Sequence, residues 1–182
     1  MVLFWERGYD AVTTRDLTEA IGIVAPSLYH AFTNKRALFA EVVEAYAQRY
    51  GGYIDEALQG QSDARTAVGQ LLLGAARQQT LPGRPAGCLI ISGATNHSPA
   101  SADVAAELQE RRTHVAGRIA EKIRADVARG ALPTNTDVDQ LTTFVMSVWS
   151  GVALQARDGA TRASLEAAVD IAMRAWPEEL GS

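Results

Sequence analysis

Between Ala25 and Phe32 lie several side chains with no packing reason to be there. Read as a helix, this segment turns Leu28 and Phe32 inward and leaves Ala25, Pro26, Ser27, Tyr29 and His30 on an outer surface. Hydroxyl and imidazole groups at the start of such a helix suit the base edges and phosphate oxygens of a nucleic acid. From Ala20 to Ala40 there is no acidic side chain, while His30, Lys35 and Arg36 all fall inside that interval. In a chain of net charge −4, such a gap points to a small phosphate-facing surface on an otherwise acidic body.

Other chemistries find less support. Cys88 with His97 or His114 would make a thiol–imidazole pair, but no spacing enforces their contact, and a cysteine inside the apolar run Cys88-Leu89-Ile90-Ile91 reads as core. The three histidines, His30, His97 and His114, show no metal-ligand spacing with one another or with Cys88. No glycine-rich phosphate loop follows a strand. Neither a metal, a cofactor nor an enzymatic activity is expected.

The elements that must position the outward row are helices. Thr13 or Thr14 opens a short helix by accepting a backbone N–H, with Leu17, Ala20 and Ile21 on one face and Gly22 in the turn that follows. Val24 is a poor cap for the next helix, and Pro26 in its first turn forfeits no intrahelical hydrogen bond. Ahead of this pair, Met1 to Arg7 form two helical turns closed by Gly8, with Leu3, Phe4 and Trp5 as a heavy apolar load. Behind it, Asn34 caps a helix in which Phe39, Val42, Val43, Tyr46, Tyr50 and Ile54 recur at three and four, as far as about Gln59.

Further along, Ser62 is a plausible N-cap for a helix through Val68, Leu71, Leu72 and Ala75 to about Thr80. Two prolines and two glycines in Leu81–Gly87 make the clearest loop. Cys88–Ala94 fits a buried strand or a short buried helix equally by periodicity; helices on both sides and the lack of a partner strand favour helix. Ser98-Pro99 starts a long helix marked by Val104, Leu108, Val115, Ile119, Ile123 and Val127, ending near Gly130. Two more helices follow, from near Asp137 and from about Ala163 to Ala175.

Those last two helices carry broad apolar stripes. Leu141, Val145, Val148 and Val152 on one, with Leu165, Val169, Ala172, Met173 and the following Trp176 on the other, exceed what two antiparallel helices need to bury each other. The surplus favours a symmetric partner, so these nine residues are the expected dimer interface. At 182 residues, with 47% hydrophobic and 21% charged residues, the composition is that of an ordinary globular protein. No apolar run approaches the ~18 residues that span a bilayer. Met1–Trp5 lacks a basic leader, and a single cysteine fits a reducing cytoplasm.

The run ERGYDAVTTRDLTEAIGIVAPSLYHAFTNKRALFAEVV resembles the helix-turn-helix segment of the tetracycline-repressor (TetR-like) family of bacterial transcriptional regulators. The matching features are the Gly8-Tyr9 turn, the Thr13-Thr14 helix start, Gly22, and Leu28-Tyr29-His30 followed by Phe32 and Lys35. The resemblance implies an all-α protein: a three-helix helix-turn-helix head at residues 1–38 and a helical effector-binding and dimerisation domain at residues 39–182. Members usually carry a longer first helix preceded by a basic arm, so the first helix of the head reads as truncated. The resemblance further implies that Tyr29 and Lys35 touch the DNA backbone, and Thr14 and Arg15 from the preceding helix.

Within the body the resemblance implies a cavity for a small-molecule effector. Asn96, His97, His114, Met146 and Trp149 are the residues odd for pure packing, and polar groups converging on apolar walls are what such a site needs; Trp149 as core and His114 as solvated surface is the alternative. The expected whole is a cytoplasmic homodimer that binds double-stranded operator DNA and lets go when an effector binds. A helical ligand-binding or scaffold dimer that no longer binds DNA is the rival reading.

Overall fold

The computed structural model describes residues 1–60 and 62–177. It is all helical among these residues. Ten α-helices follow one another: α1 (Val2–Arg7), α2 (Thr14–Ile21), α3 (Ala25–Ala31), α4 (Lys35–Tyr50), α5 (Gly52–Leu58), α6 (Ala64–Gln79), α7 (Leu89–Ser92), α8 (Ala102–Ala128), α9 (Val138–Arg157) and α10 (Arg162–Met173). A 3-10 turn, Pro99–Ser101, leads into α8.

Side-chain caps fix half of the helix starts. Thr13 Oγ1 accepts from Asp16 N at 3.1 Å while the Asp16 carboxylate accepts from Thr13 N at 2.7 Å, a reciprocal capping box for α2. Asn34 accepts from Ala37 N at 2.8 Å, and Asp137 from Gln140 N at 2.9 Å. Two expectations need correcting. Asp63 rather than Ser62 caps α6, accepting from Thr66 N at 2.7 Å; a carboxylate is the better acceptor at a helix N-terminus. The single connector helix is also broken, α4 ending at Tyr50 and α5 beginning at Gly52, because adjacent glycines at 51 and 52 are poor helix formers.

Two apolar clusters divide the core. One gathers Phe4, Trp5, Leu17, Leu28, Phe39, Val43 and Tyr46 of the first four helices and Val12 of the α1–α2 loop with Leu89 and Ile90 of α7 and Val104 and Leu108 of α8. The other joins α6 to α9 and α10 through Val68, Leu71, Leu72, Val145, Trp149, Leu165 and Val169. The core of the head therefore reaches well beyond residue 38. Short polar ties reinforce the junction: Tyr9 N donates to Gly93 O at 2.8 Å, and Asp10 accepts from Ser98 N at 2.6 Å and Ser101 Oγ at 2.5 Å.

The apolar stripes of α9 and α10 are spent differently from what their width implied. Leu141, Val145, Val152, Leu165, Val169 and Trp176 all lie buried inside the protomer's own core, because α6 lies against both helices and takes up their inward faces. Val148, Ala172 and Met173 are half-buried. The large apolar side chains these helices leave outside are Leu154, 58% exposed, and Ile171, 63% exposed.

Candidate nucleic-acid interface and effector cavity

The α2–α3 pair is built around one tight turn. Gly22 adopts the left-handed conformation (φ 78°, ψ 31°) and its N–H closes on Thr18 O; a Cβ there would be strained. Ile23 N also reaches Thr18 O, at 3.1 Å. α3 then starts with Val24 at its N-cap, without a side-chain hydrogen bond, and with a proline in its first turn. One side chain of α3 is buried, Leu28 at 2% exposure. Ala25, Pro26, Ser27, Tyr29 and His30 are all exposed.

This outward row is the surface that the residue types pointed to. Tyr29 is 49% exposed, and its hydroxyl lies 3.3 Å from Thr14 Oγ1, tying α3 to the first residue of α2. Arg15 is exposed and pairs with Glu19 at 2.7 Å along its own helix. Ala20 and Ile21 depart from expectation: both are exposed, Ile21 at 53%. Leu17 alone of that face is buried, since α2 is too short for its last turn to reach the core.

Lys35 and Arg36 are committed elsewhere. Lys35 Nζ donates to Tyr9 O at 3.0 Å and Val12 O at 2.9 Å, and stands 4.1 Å from the centre of the Tyr9 ring. Loss of water around it pulls its pKa down. Lys35 thus clamps the loop between α1 and α2, a role set by partners more than twenty residues away. Arg36 turns to the body, 2.8 Å from Asp103 and 2.6 Å from Glu107. Of the three basic groups in the acid-free interval, His30 is the one left facing outward.

Between α4–α5 and α8 lies a cavity of about 450 Å³. Tyr46, Tyr50, Tyr53 and Trp149 supply aromatic walls, with Ile54, Ile90, Val115 and Cys88 beside them. Trp149 is 1% exposed and its Nε1 donates to Tyr53 Oη at 3.1 Å. Gly74 of α6 makes room for that tyrosine, since a Cβ there would stand 2.8 Å from Tyr53 Cδ2. Burial pushes the Tyr46 and Tyr53 hydroxyls and the Cys88 thiol well up, keeping all three neutral. The exposed members of the wall, Asp55, Glu110 and His114, mark where the cavity meets solvent.

Two of the five expected pocket residues, His114 and Trp149, line this cavity. Asn96 and His97 do not; both are exposed on the loop after α7, which turns toward Asp10, and His97 Nδ1 lies 3.1 Å from Ala94 O. Met146 packs against the α6–α9–α10 core. Tyr46 and Tyr50 fit a buried helical stripe, which hides them as a wall, and Tyr53 lies outside that stripe; their being aromatic rather than aliphatic, at 46, 50 and 53, was the available signal.

Comparison with known proteins decides the family. Residues 1–42 match the model described as bacterial regulatory proteins, tetR family, and residues 66–172 match the tetracyclin repressor-like C-terminal domain. The chain belongs to the TetR family. The HTH-type transcriptional repressor ComR of Escherichia coli (strain K12) is 34% identical to this TetR-family chain over 179 residues, covering 98% of the chain and 85% of that protein. The HTH-type transcriptional repressor BdcR of the same organism is 30% identical over 158 residues, covering 87% and 75%. Among solved structures, a cysteine mutant of the TetR family regulator CifR complexed with 26bp double-strand operator DNA superposes with a TM-score of 0.90 at 37% identity, covering 97% of this chain and 92% of that one.

Proposed function

We propose that this TetR-family chain is a homodimeric repressor that binds operator DNA through α3 and is released by a small effector held in the aromatic cavity. One observation carries the reading: α3 is held by the single buried side chain Leu28 and presents Ala25, Pro26, Ser27, Tyr29 and His30 outward, a row without any role in the core. Thr14 and Arg15 flank it, and the resemblance to relatives named as repressors, one of them solved on its operator, supports it. Lys35 contributes by holding the loop that seats α2 rather than by reaching a phosphate itself. Such a regulator works in the cytoplasm, where the chromosome is.

The dimer face moves outward from the stripe that the sequence suggested. Leu154 and Ile171, with the smaller Gly151, Ala167 and Ala168 exposed beside them, form a face of α9 and α10 for a second copy. Two heads on such a dimer must stand about 34–36 Å apart to enter successive major grooves. An effector that prefers another spacing lowers operator affinity by its differential binding energy, typically ~1–3 kcal/mol.

The effector that fits is neutral and mainly apolar at its inner end, because an unpaired charge among Tyr46, Tyr53, Cys88 and Trp149 would be costly to bury. A band-shift of the full chain with DNA from upstream of its own gene, at two salt concentrations, tests the repressor reading. Specific binding that weakens steeply with salt is expected. Lack of specific binding at both salts would favour the rival, a ligand-binding dimer without a DNA target, which the inward engagement of Lys35 and Arg36 keeps open to test.

A further inference from the structure

A row of ion pairs runs along the solvent side of the cavity. Arg36 at the start of α4 meets Asp103 at 2.8 Å and Glu107 at 2.6 Å; Glu44 in the middle of α4 meets Arg111 at 3.1 Å; Asp55 of α5 meets Arg118 at 2.7 Å. The sequence separations of Arg36–Asp103, Glu44–Arg111 and Asp55–Arg118 are 67, 67 and 63. A constant offset means that α4–α5 and α8 run side by side in the same direction, and it drops by one helical turn across the break at Gly51. Glu107, Arg111, Arg118 and Asp55 are at once rungs of this row and part of the cavity wall.

The same rungs reach the head. Arg36 is the second residue of α4, and Ala31, the last residue of α3, precedes it by one short turn. The Glu107 carboxylate has one oxygen on Arg36 and the other 3.9 Å from Arg111 Nη2. Arg111 therefore shares its guanidinium between Glu44 of α4 and Glu107 one turn back on α8, while Glu107 holds Arg36 at the start of α4. The arginines here are partly buried, but Asp103, Glu44 and Asp55 are more than half exposed, so each of those pairs has the modest strength of a surface ion pair, and Arg36–Glu107 is partly buried on both sides.

Resting on the effector-released repressor reading above, we propose that this row of ion pairs is both the latch of the cavity and the link that carries cavity occupancy to the DNA-reading head. A molecule filling the cavity lies against Arg111 and Arg118 and, by the space it takes between α4–α5 and α8, parts them from their partners. Glu107, no longer held on its second oxygen, keeps its pair with Arg36 and is free to shift with it, so the first turn of α4 moves, and α3 moves with it. Arg111 and Glu107 are positioning residues in this scheme, since neither faces DNA.

The test uses the full chain and N-phenyl-1-naphthylamine, a neutral probe that fluoresces in apolar surroundings. Glu44 does not line the cavity, so a mere wall role would leave probe binding unmoved in Glu44→Gln. The latch predicts roughly two- to fivefold tighter probe binding in that variant, the scale of one exposed ion pair, and a comparable loss of operator affinity. Exchanging the charges, Glu44→Arg with Arg111→Glu, should return both readouts toward the parent.

Unchanged probe affinity in Glu44→Gln overturns the proposal. So does an exchanged pair that melts like the parent yet behaves like the single variant. If the exchanged pair fails to fold, Arg111→Lys decides instead: it keeps the charge and should behave nearly as the parent, and a lysine variant that behaves like Arg111→Gln overturns the latch. A parent that binds no operator removes the repressor reading alone, because the probe readout still judges the latch. Failure of every form to take up probe overturns the latch as well.

Discussion

The outward-facing helix α3 of the head and the buried helix α9 of the body are held in opposite ways. α3 has seven residues and buries one of them, Leu28, whereas α9 has twenty and buries Leu141, Thr142, Val145, Trp149, Val152, Ala153 and Ala156. An element that must present most of its side chains to a partner cannot also spend them on packing. Its rigidity is borrowed, from the capping box of α2, from Gly22 in the turn and from the Thr14–Tyr29 contact. The body has the converse economy, with apolar burial to spare and a cavity left where α4 and α8 do not close on each other. The proposed function sits at the thinly held end of one and in the unfilled space of the other.

The sharpest way to break this contrast is to remove the largest anchor on each side. Trp149→Ala should cost about 3–5 kcal/mol and lower the melting temperature of the whole chain, since Trp149 is buried in the main core and donates to Tyr53. Leu28→Ala should cost about 2–4 kcal/mol, but felt locally: amide exchange would quicken in α2 and α3 while α6 and α9 stay protected. Equal loss of protection everywhere after Leu28→Ala would erase the distinction. Lys35→Ala should cost about 1–2 kcal/mol and loosen the α1–α2 loop, seen as faster exchange around Tyr9 and Val12; normal protection there would return Lys35 to a purely surface role.

Acid separates the two regions without mutation. Hydrogen bonds from Ser101 and Ser98 hold Asp10 below its ordinary value near 3.8, Thr13 does the same for Asp16, and Arg36 for Asp103. A carboxylate with a depressed folded pKa contributes stability above its unfolded value and loses it as pH falls through the folded one. The loss therefore begins below about 3.8, and these three groups lie in the head or at its junction with the body. Exchange protection of α2 and α3 should fall before that of α9 as the pH is lowered; the reverse order would contradict the assignment. Val24→Ser is the smallest expected effect, a gain of about 0.5–1 kcal/mol in the local stability of α3 from a cap it now lacks.

Much of this was legible because it is local. The caps at Thr13 and Asn34 follow from side-chain chemistry within three residues, and the outward row of α3 follows from helical period alone. Long-range partners were not legible: Lys35 bonds carbonyls at Tyr9 and Val12, and Arg36 bonds carboxylates on α8, so both look like free cations in sequence. An apolar stripe shows that a face is buried without showing against what. That is why Leu141, Val145, Leu165 and Val169 read as interface and turn out to be core, while Leu154 and Ile171 stand outside. The cavity was half legible, through Trp149 and His114, and its tyrosine wall was hidden in a stripe that also fits plain packing.

Central to the proposed function is that the exposed face of α3 reads DNA while taking no part in the apolar core, its one tie among the described residues being the exposed Thr14–Tyr29 contact. Fluorescence anisotropy of a labelled duplex from upstream of the gene, titrated with Tyr29→Ala beside the parent and accompanied by a thermal melt, addresses it most directly. The account predicts that affinity falls roughly tenfold, about 1.4 kcal/mol, with the melting temperature essentially unchanged. Parental affinity in a normally folded Tyr29→Ala variant would contradict it.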